Sequence, residues 1–225
     1  MAAPGPPPAG IRRTGLRTSL DRLREARLYV ITPDVSPDRV LQVANGAVRG
    51  SADIVQLRHK TLSRGELLTL ARELRRLITG ALFIVNDHVD IALLSEADGV
   101  HLGPDDLSVA AARRVAGDRL LIGASASSPD AARQAIAAGA DYVGSGPAFA
   151  TPVKSEKKVI GPRGIAEIVK AVEPVPVFAI GGIDERNIEQ LTALGIHRAC
   201  VIRAVGDAAD PEQATRRLRA MLEER

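Results

Sequence analysis

From Leu28 onward the chain repeats one unit: a short apolar run, a polar turn, then a helix-length stretch with apolar residues on one face. The apolar runs are 28–32 (LYVIT), 53–57 (DIVQL), 82–86 (LFIVN), 98–102 (DGVHL), 120–124 (LLIGA), 141–145 (DYVGS), 176–181 (PVFAIG) and 198–202 (RACVI). Apolar residues at nearly consecutive positions predict parallel strands buried on both faces. Helix-length segments between and after them include 37–49, 63–79, 105–116, 128–138, 162–172, 184–194 and 210–224. Ser63, followed three residues later by Glu66, predicts a capping box. Ser128-Pro129-Asp130 sets a cap before a proline at the first helical position. Gly50, Gly80, Gly117, Gly139 and Gly195 stand at helix ends, where glycine fits a left-handed cap.

Eight such units predict an α/β fold, a closed (β/α)8 TIM barrel forming one domain over 18–225. The runner-up, an open doubly wound sheet, would be marked by GxGxxG after the first strand, and none stands there. Residues 1–17 begin MAAPGPPPAG, a composition that cannot pack, and predict a disordered tail. That tail lacks the apolar centre of a secretory signal; it resembles a transit peptide only in being rich in Arg and poor in acids. A short helix is expected over 18–26.

Composition changes this picture in three ways. The net charge of +3 is misleading, because Arg12, Arg13, Arg17, Arg22, Arg24 and Arg27 all precede the first strand. The barrel body therefore has no basic face for a nucleic-acid duplex. Aromatic residues make up 2% with no Trp, which excludes a stacking platform for single strands. One Cys excludes a disulfide framework and a Cys-cluster metal site, so the cytoplasm is the expected compartment. No apolar run reaches membrane-spanning length. The sequence leaves a homo-oligomer open.

The active site of such a barrel lies at the C-terminal ends of its strands. Strand 2 ends Gln56-Leu57-Arg58-His59-Lys60, whose donors and cations suit a polyanion, with a solvated charged turn as the alternative. Asp87 and Asp106 follow adjacent strands 3 and 4; two carboxylates suit a hard divalent cation such as Mg²⁺, with helix N-capping as the alternative. Gly181-Gly182 and the end of strand 8 form the place where barrels commonly bind a monophosphate. A diphosphate beside strands 2–4 facing a monophosphate beside strands 7–8 is the layout of a transferase. It would join a diphosphate ester to a phosphorylated acceptor, two small phosphorylated substrates.

At these residues the sequence resembles the thiamine-phosphate synthase family. The resemblance covers roughly 28–208 and rests on YVIT (29–32), QLRHK (56–60), FIVNDHVDIAL (83–93), ADGVHLG (97–103), IGAS (122–125), DYVGSGPAFATPVK (141–154) and FAIGGI (178–183). It implies Mg²⁺-dependent joining of 4-amino-2-methyl-5-(diphosphooxymethyl)pyrimidine to a thiazole phosphate, with release of pyrophosphate. By the resemblance, Gln56, Leu57, Arg58, His59, Lys60 and Asn86 hold the pyrimidine diphosphate, and Asp87 and Asp106 bind Mg²⁺. Ser125 meets that same substrate through its leaving group, and Lys154 reaches the diphosphate. Thr151, Pro152, Val153, Gly182, Ile202 and Arg203 meet the thiazole phosphate. Arg58, Lys60 and Lys154 supply the catalytic charge; no general base is assigned, because the pyrimidine amino group can stabilise a cation at the exocyclic carbon.

Three positions depart from the family pattern: His59, Val153 where Thr is usual, and Arg203 where Ser is common. Cys200, His101, His197, Asp90 and Asp98 are expected to be structural. A thiazole tautomerase on the same barrel is the nearest rival, and Ser125, Asn86, Asp87, Asp106 and Lys154 favour the synthase. A catalytically idle barrel that senses a phosphorylated ligand is a rival of another class, and the same acidic pair and cationic cluster argue against it.

Overall fold

The computed structural model describes residues 18–150 and 158–223. Eight parallel strands close into a barrel in chain order, with the eighth pairing the first. They are β1 (Leu28–Ile31), β2 (Ile54–Leu57), β3 (Leu82–Asn86), β4 (Gly99–Leu102), β5 (Leu121–Ala126), β6 (Tyr142–Ser145), β7 (Val177–Ile180) and β8 (Ala199–Val201). The helices are α1 (18–25), α2 (Pro37–Arg49), α3 (Arg64–Leu77), α4 (Val89–Leu94), α5 (Val109–Ala116), α6 (Pro129–Ala137), α7 (Gly161–Val172), α8 (Glu189–Thr192), α9 (Arg203–Gly206) and α10 (Pro211–Glu223). The predicted barrel is thus the observed fold. The expected tail at 1–17 lies outside the described residues.

Strand alternation sorts the apolar side chains into two cores. Tyr29, Ile31, Ile54, Leu82, Ile84, Leu121, Tyr142, Phe178 and Cys200 fill the barrel interior as one cluster. Their neighbours in sequence, such as Val30, Val55, Phe83, Val100 and Val201, pack outward against the helices. This double burial is why the strands read as continuous apolar runs. Leu23 and Ala26, each 1% exposed, join the interior cluster, so α1 and the turn after it plug the bottom of the barrel.

A repeated staple closes the same end. Asp53, Asp98 and Asp141 each follow an alanine and immediately precede an even-numbered strand. Each carboxylate accepts backbone N–H groups from the start of the preceding strand: Leu28 at 2.9 Å, Phe83 at 2.8 Å and Ile122 at 2.7 Å, respectively. Each also pairs with a helix arginine, Arg219 at 3.1 Å, Arg75 at 2.9 Å and Arg113 at 2.7 Å. Before β8 the position is Arg198, which instead donates to the Arg24 carbonyl at 2.7 Å and ties down the end of α1. Asp98, expected to be a turn residue, is part of this device.

The local signals fared unevenly. The Ser63–Glu66 capping box is present, and Ser128 caps α6 ahead of Pro129. Gly117, Gly139 and Gly195 have left-handed backbones, whereas Gly50 has φ −81°. A Cβ on Gly50 would stand 2.5 Å from the Glu212 carbonyl oxygen, so that glycine serves the close approach of α10. The helix expected over 184–194 is α-helical only at α8, because Asp184 and Asn187 shape the segment before it into turns.

Candidate active site

The C-terminal ends of the strands bring the predicted cation cluster and carboxylate pair together. Lys60 donates from Nζ to Asp87 Oδ2 at 2.6 Å. Asp87 has φ 64°, a left-handed backbone that a short polar residue tolerates. Its N–H donates to the His101 carbonyl at 2.8 Å, which fixes that turn against β4. The Asp87 and Asp106 carboxyls stand close enough to shift each other's ionisation. Burial and the neighbouring Asp87 carboxyl push the Asp106 carboxyl above its ordinary range. Burial would also raise Asp87, but Asp106 and the hydrogen bond from Lys60 outweigh it and hold Asp87 below the ordinary range.

Neither acid is a helix cap. His88 stands at the N-cap of α4, and Ser108 caps α5 by accepting from Ala111 N–H. Asp106 Oδ2 instead accepts from Gly103 N–H at 2.7 Å, which turns the carboxyl back toward strand β4 and Asp87. No group of three or more His, Cys, Asp or Glu able to hold a metal occurs among the described residues. Two converging carboxylates are the donor set for a hard cation such as Mg²⁺, which takes one or two carboxylates and completes its shell with substrate phosphate and water.

Deeper in the mouth lies a polar chain. Gln56, 1% exposed, donates from Nε2 to the Tyr29 hydroxyl at 2.6 Å. The Tyr29 and Tyr142 hydroxyls are 3.0 Å apart, His101 Nδ1 is 3.3 Å from the Tyr142 hydroxyl, and His101 Nε2 is 3.1 Å from Ser125 Oγ. Gly123 makes room for this arrangement, since a Cβ there would lie 2.1 Å from Tyr142 Cζ. Sequence reasoning missed Tyr29 and Tyr142 and set His101 aside. The signal was present: these are the only two tyrosines of the chain, both at inward positions of their strands.

Other predicted residues need correction. The His59 side chain is not a mouth donor. Its Nε2 lies 2.8 Å from the Val35 carbonyl and its Nδ1 3.1 Å from Asp34, so it pins the loop after β2 to the loop after β1. Leu57 packs outward among the helices and has no side chain to offer a ligand in the mouth. Arg203, exposed at the start of α9, donates to Asp207 just beyond that helix at 2.9 Å.

Arg58 is half-buried at the end of β2, its N–H donating to Thr32 Oγ1 at 3.1 Å. Asn86 ends β3 and pairs in register with His101. Ile202 follows β8 and packs on the interior cluster. Gly182 has φ 66° in the turn after β7, where a Cβ would stand 2.6 Å from the Ala150 carbonyl oxygen. The turn is shaped by Asn187, which donates to the Gly182 carbonyl at 2.8 Å. Thr151, Pro152, Val153 and Lys154 lie outside the described residues. Cys200 is buried in the interior cluster and His197 precedes β8 at the far end, as expected. Asp90 pairs with Arg64 at the rim.

Fold and mouth define a class: a single (β/α)8 barrel with a lysine and an acidic pair converging where barrel enzymes carry their chemistry. The family model described as thiamine monophosphate synthase matches residues 28–205, and the chain belongs to that family. Thiamine-phosphate synthase of Thermosynechococcus vestitus is 44% identical, over 90% of this chain and 58% of that protein. The chain thus spans under two thirds of that relative's length. The thiamine-phosphate synthase of Pyrococcus horikoshii is 42% identical over 88% of this chain and 95% of that protein. The structure of thiamine phosphate pyrophosphorylase from Pyrococcus furiosus superposes with a TM-score of 0.82 at 38% identity, covering 90% of this chain and 97% of that one.

Proposed function

We propose that this chain is a thiamine-phosphate synthase, a transferase of thiamine biosynthesis. It would join the pyrimidine diphosphate to a thiazole phosphate and release pyrophosphate. The observation that carries the reading is the Lys60–Asp87–Asp106 cluster in a barrel of this family. The Pyrococcus horikoshii relative, matched over 95% of its length, supports placing the whole activity in the barrel alone.

The chemistry asks little covalent help of the protein. The pyrimidine amino group feeds electrons toward the exocyclic carbon as its bond to the diphosphate breaks, and the thiazole nitrogen then attacks that carbon. Mg²⁺ on Asp87 and Asp106, when bound, would neutralise charge on the diphosphate. Lys60 and Arg58 would add charge from the end of β2, and Lys154 would add a further positive charge. Ser125 at the end of β5 would donate to the departing oxygen. The Gly181–Gly182 turn, with Ile202 and Arg203 across from it, would hold the thiazole phosphate through backbone N–H groups. Such fixed charges and donors lower the barrier because they are already oriented when the bond breaks. The single cysteine supports a cytoplasmic location.

The test is to incubate the purified chain with both substrates and Mg²⁺ and separate the products. Thiamine phosphate appearing only when all three are present supports the assignment; a folded chain that forms none refutes it.

A further inference from the structure

We infer that the chain Gln56–Tyr29–Tyr142–His101–Ser125, buried at its first three members and open at Ser125, is a one-way hydrogen-bond line that fixes the His101 tautomer and makes the Ser125 hydroxyl a donor toward the mouth. The inference rests on the proposed function only for what Ser125 donates to.

The direction follows from counting protons. Gln56 Nε2 has only hydrogens to give, so at 2.6 Å the Tyr29 oxygen must accept. The Tyr29 proton is then directed to the Tyr142 oxygen at 3.0 Å. Tyr142 accepts it and passes its own proton to His101 Nδ1 at 3.3 Å. A reversed Tyr142 would load the Tyr29 oxygen with two donors and turn the Tyr29 proton away from the Tyr142 oxygen, a loss in a buried site. Burial pushes the ionisation of both phenols far up, so each keeps its single proton. His101 accepts at Nδ1 and carries its ring proton on Nε2, which donates to Ser125 Oγ at 3.1 Å. The Ser125 oxygen is then occupied as an acceptor, and its own proton is left to point outward.

Ser125 ends up polarised toward an anion. A hydroxyl that receives one hydrogen bond gives a stronger one, and the receiver here is an oxygen gaining negative charge. The opposite polarity would present the serine lone pairs to the diphosphate and repel it. Tyr29, Tyr142 and His101 are positioning residues in this scheme; Ser125 alone meets the substrate.

The decisive measurement is ¹⁵N NMR of His101 in the intact chain without substrate, where protonated and bare ring nitrogens resonate apart. A ring proton on Nε2 supports the line; a ring proton on Nδ1 overturns it. Tyr142→Phe and Gln56→Leu should each give mixed tautomers, and an unchanged single Nε2 tautomer in both would overturn the claim that they set it. In turnover, Tyr142→Phe should lower kcat about tenfold and leave the thiazole-phosphate KM unchanged. Ser125→Ala should lower kcat by about 10², with Ser125→Thr recovering much of it. An unaltered kcat in Tyr142→Phe contradicts the positioning role. A wild-type chain with no turnover removes the proposed function, while the tautomer still decides the line.

Discussion

Lys60 Nζ lies 2.6 Å from Asp87 Oδ2, so the cation assigned to the diphosphate and the carboxylate assigned to the metal pair with each other. The bond links the end of β2 to the end of β3 and keeps two opposite charges together at a part-buried place. On the proposed function, a diphosphate with its cation would take both partners at once, Lys60 turning to the phosphate oxygens and Asp87 to the metal. Ordering of the site is then done by the protein before the ligand arrives.

Asp87→Asn and Lys60→Ala should therefore fail in different ways. Each is expected to lower kcat by about 10², the usual cost of one fixed charge opposite a leaving group. Raised Mg²⁺ should partly restore Asp87→Asn, because Asp106 remains as a ligand, and should not restore Lys60→Ala. Steady-state kinetics across a Mg²⁺ series checks this; a change confined to the thiazole-phosphate KM in both variants would reject the two-site map.

Much of this was legible in the sequence. Strands that are buried on both faces write themselves as apolar runs, and eight of them left little choice of fold. The carboxylate pair was legible in type but not in role, because Asp87 and Asp106 also stand where caps would. The structure removes the capping alternative by giving the cap positions to His88 and Ser108. His59 misled because sequence does not show which way a side chain turns at a strand end; Asp34 and Val35 hold it in the β1–α2 loop. The Tyr29–Tyr142 contact spans 113 residues and exists only once the barrel closes, so no local pattern announces it.

The Asp98 staple gives a prediction about stability alone. Asp98→Ala removes the acceptor of the Phe83 N–H and the partner of Arg75, both part-buried. A loss of about 2 kcal/mol is expected from the unpaired donors, read as a lower urea midpoint with kcat per folded molecule unchanged. No change in midpoint would show that the staple contributes nothing.

The bottom plug separates two parts of the N-terminal segment. Removing residues 1–17 should leave turnover and melting temperature nearly unchanged, because their sequence has no packing pattern, whereas the interior cluster draws on Leu23 and Ala26. Leu23→Ala, by contrast, should cost about 2–4 kcal/mol through the cavity it opens under the barrel. Thermal melts of the two variants compare them directly; a large loss on truncation and none for Leu23→Ala would reverse the assignment.

Arg203→Ala should have little effect. Its guanidinium is engaged with Asp207 in an exposed pair, and such pairs contribute about 0–1 kcal/mol. The thiazole-phosphate KM should stay within about threefold of the parent value, a shift smaller than 1 kcal/mol. A tenfold rise would show that the side chain leaves Asp207 for the substrate phosphate.

The central claim is that this mouth couples departure of pyrophosphate to capture by a thiazole nitrogen. The most direct measurement quantifies pyrophosphate and thiamine phosphate together, for the wild-type chain and for Asp87→Asn with Asp106→Asn. The account predicts equal amounts of the two products from the wild type with Mg²⁺, and neither from the double variant although it remains folded. Equal turnover by the double variant, or no thiamine phosphate from the wild type, would contradict it.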